Sequence, residues 1–338
     1  MRFPAISKIA LAKRGLHTSS IARVPLLISP KEYQSLPKET TRPLDVSWHM
    51  PNSKRSATAE FLSGPRLPNA KRFDLDEVAA LDLTENPLSL THMLPKPERF
   101  VEEARKLGIR NDDHVVLYDT IGVFSSPRAL YTFKAFGHEN VSVLDGGLPR
   151  WIEEGYDAEN GEVKPILKES QYRLPESWKE DWVRSYEQIV SNSEKSIDDP
   201  TSEIVLDHRP LGRFTGEQNE PRPGLSSGHI PNSLPLPFSN YLNQSTDSIP
   251  YSTFKSIEEL QKVFENNLGG KDELLKLILN QKGVIFSCGS GMTAAIGWLA
   301  NELLKEKHQG KGMKTSIYDE SWTGYALRQE SKIVKGNA

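Results

Sequence analysis

The chain holds a single cysteine, Cys288, among 338 residues. One thiol excludes an intrachain disulfide, a Cys-rich zinc site, a CxxC redox pair and a cysteine-ligated iron–sulfur cluster. Any thiol chemistry must therefore run through one sulfur and an external acceptor. Long apolar runs are also missing. None approaches the roughly 18 residues needed to cross a bilayer, so no membrane partner is expected. An excess of charge of either sign is lacking too, with 42 Lys+Arg against 45 Asp+Glu and a net of −3. That balance predicts no broad nucleic-acid footprint. His49, His114 and His138 show no ligand spacing, and neither a metal nor a cofactor is expected.

What is present is an ordinary globular composition, 37% hydrophobic and 26% charged, in a length that suggests two domains. The first acidic residue is Glu32, while Arg2, Lys8, Lys13, Arg14 and Arg23 precede it. Basic, hydroxylated and acid-free is the composition of a mitochondrial transit peptide. Residues 1–23 are therefore set apart from the fold, and a mitochondrial location is expected. A cytoplasmic pool stays open, although initiation at Met50, the next methionine, would remove the first expected strand end.

After the leader the chain repeats itself once. The segment 115–119 reads as a strand, 128–136 as a helix, and 141–144 as a second strand ending in Asp145-Gly146-Gly147. Further on, 284–288 reads as a strand, 293–305 as a helix, and 316–318 as a strand ending in Asp319-Glu320-Ser321-Trp322. Upstream, Leu44-Asp45-Val46 matches Leu206-Asp207-His208, and Leu67-Pro68-Asn69-Ala70 matches Ile230-Pro231-Asn232-Ser233. Two copies of one α/β unit account for the length, each with a mostly parallel sheet flanked by helices. Residues 24–158 form the expected N-terminal domain, 159–181 a polar linker, and 182–338 the C-terminal domain. In this alignment Asp119 takes the place of Cys288, so only the second copy carries a thiol.

Cys288 heads the loop Cys288-Gly289-Ser290-Gly291-Met292-Thr293, and an Ala-rich helix follows. Two glycines permit a tight curl whose N–H groups point inward, and a helix N-terminus adds its own donors. That setting favours an anion, here the thiolate. Three other readings fit parts of the stretch: a structural buried cysteine, a phosphatase loop, and a dinucleotide fingerprint. The phosphatase reading needs an arginine where Ala294 stands. The Gly289-x-Gly291-x-x-Ala294 spacing does fit GxGxxG/A, but nucleotide binding leaves the leading cysteine without a role.

The duplicated unit and the stretch CGSGMTA resemble the rhodanese superfamily of sulfurtransferases, in its 3-mercaptopyruvate sulfurtransferase branch. Further stretches agree: GRFTGEQNEPRPG, GHIPNS and YDESW in the second copy. Met292 stands where valine is usual, and the neutral loop differs from the basic one of thiosulfate-specific relatives. The resemblance implies two tandem rhodanese-like domains and a persulfide on Cys288, formed from 3-mercaptopyruvate with release of pyruvate. The sulfur would pass to thioredoxin or another thiol acceptor. It further implies that Arg213 and Arg222 bind the substrate carboxylate beside Gly289, Gly291, Met292 and Thr293, and that Ser290 acts with Asp76 and His92. Arg66, where the family has histidine, and Trp322 are further candidates: Arg66 for the enolate or for structure, Trp322 for a pocket wall or the core. The Arg66-Leu67-Pro68-Asn69 segment is similar to fungal members linked to tRNA thiolation, which implies a protein of that sulfur relay as a partner.

Overall fold

The computed structural model describes residues 24–165, 168–176, 178–280 and 282–336. The expected transit peptide, residues 1–23, lies outside the described residues.

The first unit runs β1 (Leu27–Ile28), α1 (Pro30–Gln34), β2 (Thr41–Asp45), α2 (Ala57–Ser63), β3 (Lys71–Arg72), α3 (Pro97–Lys106), β4 (His114–Tyr118), α4 (Ser126–Ala135), β5 (Val141–Leu144) and α5 (Gly147–Glu153). Its sheet has the order β1-β5-β4-β2-β3, with every pair parallel. The second unit runs β6 (Val183–Arg184), α6 (Tyr186–Ser193), β7 (Ile204–Asp207), α7 (Leu211–Thr215), β8 (Ser233–Pro235), β9 (Leu242–Asn243), β10 (Thr253–Phe254), α8 (Ile257–Asn267), α9 (Lys271–Asn280), β11 (Gly283–Ser287), α10 (Ala294–Lys307), β12 (Lys314–Tyr318) and α11 (Ser321–Leu327). Its sheet has the order β6-β12-β11-β7-β8, again all parallel. Replacing each strand by its counterpart turns one order into the other, so the duplication read in the sequence is a duplication of fold.

The matched segments coincide in detail. Asp45 closes β2 as Asp207 closes β7. Asn69 and Asn232 each turn the chain into the following edge strand with φ of 61° and 62°. Both are left-handed conformations, which asparagine tolerates better than most residues.

Parallel strands bury both faces, because crossover helices cover each side. Val115 and Leu117 point into a core that continues through Leu206, Val284 and Phe286 of the second sheet. Their neighbours Val116 and Tyr118 point the other way, onto Trp151 and Leu148 of α5. The shared core is closed by α4 and α10, the equivalent helices of the two copies. Tyr131 meets Trp298 edge-on there, with ring centroids 5.1 Å apart. Every residue of α4 is buried, which explains why its sequence carries no polar stripe. Within the stretch read as a linker, Glu159 bridges Arg66 of the first unit, and the buried Tyr172 hydroxyl lies 3.1 Å from His138 Nδ1.

Two arms cross between the copies. Residues 73–96 leave β3, and the Leu94 amide donates to Asp319 at the end of β12, at 2.7 Å. Residues 236–255 leave β8, and the Phe254 amide donates to Asp145 at the end of β5, at 2.9 Å. The arms are counterparts, and each lies over the other copy's loop.

Candidate active site

Cys288 follows β11 directly and is 1% exposed. Its amide donates to Ser321 Oγ at 3.1 Å, and that hydroxyl donates in turn to the Tyr318 carbonyl at 2.8 Å. Ser321 holds this place with φ of 51°, a strained conformation outside glycine. Its counterpart in the first copy is Gly147, with φ of 55°. The second copy has thus replaced glycine by serine where a hydroxyl can reach the cysteine's backbone.

The loop's shape demands a glycine at 291. Gly291 has φ of 81°, and a Cβ there would lie 2.6 Å from the Asp319 carbonyl oxygen and 3.2 Å from Arg128 Nη1. A Cβ on Gly289 would lie 3.1 Å from Arg213 Nη2 and 3.8 Å from Arg222 Nη1. Both arginines predicted from the sequence therefore converge on the cysteine loop. Met292 and Thr293 are buried behind it, where α10 begins.

The two arginines are held differently. Arg213, on α7, donates through Nε to both Glu220 oxygens at 3.1 Å, and its Nη2 pairs with the same carboxylate. Glu220 also takes a hydrogen bond from Arg209 Nη1 at 2.8 Å. Arg209 is itself clamped by Asp207, at 3.0 Å from Nε and 2.6 Å from Nη2. Its guanidinium lies 4.2 Å over the Trp322 ring. Arg222, in contrast, has a buried Nη2 that makes no hydrogen bond among the described residues. Burial draws its pKa below the ordinary arginine value, against the opposing pull of Cys288.

Ser290 receives its partner from the crossing arm. Its hydroxyl lies 2.9 Å from His92 Nε2, and His92 Nδ1 lies 3.0 Å from Asp76 Oδ1. A carboxylate only accepts, so Nδ1 carries the proton and Nε2 accepts from Ser290. Trp48 Nε1 donates to the other Asp76 oxygen at 2.8 Å, and the Trp48 ring stands edge-on to His92 with centroids 5.1 Å apart. Burial lowers the His92 pKa, and Asp76 only partly restores it, leaving the imidazole neutral. For Asp76 burial acts upward, but the hydrogen bonds from His92 and Trp48 act against it, and the carboxyl stays below its ordinary range.

Arg128 of α4 fastens this arm to the loop. It pairs with Asp319 at 2.5 Å and donates to the carbonyls of His92 at 2.7 Å and Gly291 at 3.4 Å.

Two predicted candidates lie elsewhere. Arg66 is buried in the first unit, donating to the carbonyls of Phe61 at 3.1 Å and Glu162 at 3.0 Å, so the structural alternative describes it. Trp322 is 1% exposed and donates to the Ser226 carbonyl at 2.9 Å. It is the platform beneath Arg209 rather than a pocket wall. His229 stacks on Phe214, and its Nδ1 lies 3.0 Å from the Phe214 carbonyl. Glu220, Arg209, Trp48 and Ser321 were missed. Glu220 stands two residues from Arg222 within a polar run, and only its adjacency to an expected arginine marks it. No three His, Cys, Asp or Glu side chains among the described residues are placed to hold a metal ion.

The likeness to known proteins runs along most of the chain. Residues 44–154 match the rhodanese-like domain family. A Schizosaccharomyces pombe protein named probable 3-mercaptopyruvate sulfurtransferase is 38% identical over 289 residues, covering 84% of this chain and 86% of that protein. The crystal structure of the Tum1 protein from Saccharomyces cerevisiae superposes with a TM-score of 0.75 at 29% identity, covering 93% of this chain and 99% of that one. The yeast mitochondrial complex I sub-stoichiometric sulfur transferase subunit gives the same TM-score at 32% identity, over 93% and 100% of the two chains. With the two-fold repeat, the cysteine loop and this degree of identity together, the chain belongs to the 3-mercaptopyruvate sulfurtransferases, two-domain enzymes of the rhodanese superfamily.

Proposed function

We propose that the protein takes sulfur from 3-mercaptopyruvate onto Cys288 and hands it to a thiol acceptor. The observation that carries this reading is Arg222, whose Nη1 comes within 3.8 Å of the Cβ position of Gly289 and whose buried Nη2 makes no hydrogen bond among the described residues. A guanidinium so placed suits a small carboxylate, which takes two parallel N–H bonds from a planar fork. Arg213 flanks the same anion from the other side.

With the carboxylate held there, the Cys288 thiolate attacks the substrate sulfur. The S–S bond forms as the C–S bond breaks, the C–S electron pair leaves as pyruvate enolate, and the enolate takes a proton to become pyruvate. Ser290 bonds to His92, which Asp76 holds in one tautomer, so Ser290 can relay the proton from the substrate thiol to the leaving carbon. The persulfide rests among the loop's inward N–H groups. An incoming thiol then takes the outer sulfur and restores the thiolate.

Thioredoxin or another protein thiol is the acceptor in this reading, and the likeness to fungal members supports a relay toward tRNA thiolation. Residues 1–23 direct the protein to mitochondria, a role supported by their composition and by the mitochondrial yeast relative. A fusion of these residues to a fluorescent protein tests the address. The enzymatic test compares pyruvate release from 3-mercaptopyruvate with thiocyanate formation from thiosulfate, cyanide being the acceptor in both. A higher kcat/KM for 3-mercaptopyruvate is expected. A higher value for thiosulfate would replace the donor, and no turnover of either would leave a sulfur-carrier or binding module.

A further inference from the structure

Glu220 occupies an unusual position for a carboxylate beside an anion site. Its side chain is 1% exposed and receives two guanidiniums, Arg209 and Arg213. Asp207, 3% exposed, neutralises Arg209 from the other side. The cluster therefore holds three guanidiniums, of Arg209, Arg213 and Arg222, against two buried carboxylates. One positive charge is left over, and it falls on Arg222, whose buried Nη2 has no partner among the described residues. Asp76 stands further off, with a side chain 41% exposed and committed to His92 and Trp48.

We infer that Glu220 is a specificity-determining residue that sets the site for a singly charged sulfur donor. This rests on the donor proposed above. The Cys288 thiolate offsets that residual charge, so 3-mercaptopyruvate with its one carboxylate leaves the site one negative charge in excess. Thiosulfate brings two negative charges, and its transfer expels sulfite, also doubly negative, so the uncompensated excess in a buried site is one charge larger at the start and at the end. An unmatched buried charge is costly, and rejection of wrong partners by such mismatch is a general device. Neutral residues in the cysteine loop, Gly289 to Thr293, add no compensation. Glu220 acts through Arg213 as a positioning residue as well, because its two oxygens fix the plane of that guanidinium.

The test is E220Q, which keeps the size and removes the charge, measured with both donors and cyanide as acceptor. The ratio of kcat/KM for thiosulfate to that for 3-mercaptopyruvate is expected to rise at least about tenfold. E220D, which restores the charge, should return the ratio to the wild-type value even if both rates are lower. Equal loss with both donors in E220Q would mean a merely structural role and overturn the inference. Competition in the wild-type enzyme gives a reading independent of any variant's folding. Sulfate should inhibit 3-mercaptopyruvate turnover no more tightly than pyruvate does, and markedly tighter sulfate inhibition would overturn the inference. Failure of the wild type to turn over 3-mercaptopyruvate at all would instead strike the donor assignment, so the two failures are distinct.

Discussion

Asp119 and Cys288 are the same position in the two copies, each the first residue after the central strand that feeds the buried helix. Asp119 accepts hydrogen bonds from the amides of Ile121, Gly122, Phe124, Ser125 and Ser126, and from the Ser126 hydroxyl, at 2.8–3.1 Å. The first copy thus shows what the loop of this fold gathers around: an anion supplied by its own leading residue. In the second copy the leading residue is a thiol and the loop is the site.

That relationship makes Asp119 a structural anion. Removing it by D119A leaves five amides, three of them buried, without an acceptor and should cost about 3–5 kcal/mol of stability. Thermal or urea unfolding measures this, and the folded fraction should retain its sulfurtransferase kcat.

The Asp76–His92–Ser290 chain predicts a particular pH profile. Nε2 of His92 accepts only while the ring is neutral. Burial places its pKa below the ordinary value of about 6.5, so the neutral form persists as pH falls through 6.5. The acid limb of kcat should therefore lie below pH 6.5. D76N frees the tautomer and removes the charge that raises the His92 pKa. Its kcat should drop by about 10²-fold, with any residual acid limb moved further down. A wild-type limb above pH 6.5 would contradict the assignment.

Arg222 and Arg213 should respond unequally to lysine. R222K loses the paired donors at the one guanidinium left free for substrate and should raise KM for 3-mercaptopyruvate about 10–100-fold. In R213K the ammonium still neutralises Glu220, so its KM should rise less. Steady-state kinetics on the two variants decides the order.

Arg128 and Asp319 form the joint between the copies, with Arg128 1% exposed. R128M leaves Asp319 buried without its counter-charge and should destabilise by about 3–5 kcal/mol. The R128M/D319N pair should recover part of that loss in a double-mutant cycle. Additive costs would show that the pair does not couple.

The repeat, the central strands and the cysteine loop were legible because they rest on local pattern. The segment 141–144 is both the expected and the observed strand, and the strand expected at 115–119 is found one residue earlier. The two arginines and the relay residues came from resemblance, and the fold brings them together. The crossing arms were not legible, since residues 73–96 and 236–255 carry no periodicity and owe their course to the other copy. Arg66 stays open between enolate and structure in the sequence because its partners, the carbonyls at 61 and 162, lie up to 96 residues away. Glu220 was not legible because a charge in a polar run gives no sign that two arginines will enclose it.

The central claim is sulfur transfer through one cysteine, and intact mass reads it directly. Incubation with 3-mercaptopyruvate should add one sulfur, about 32 Da, with matching pyruvate release. The gain should vanish on treatment with a thiol reductant and be absent in C288S. An unchanged mass without pyruvate, or a gain that survives in C288S, would contradict the account.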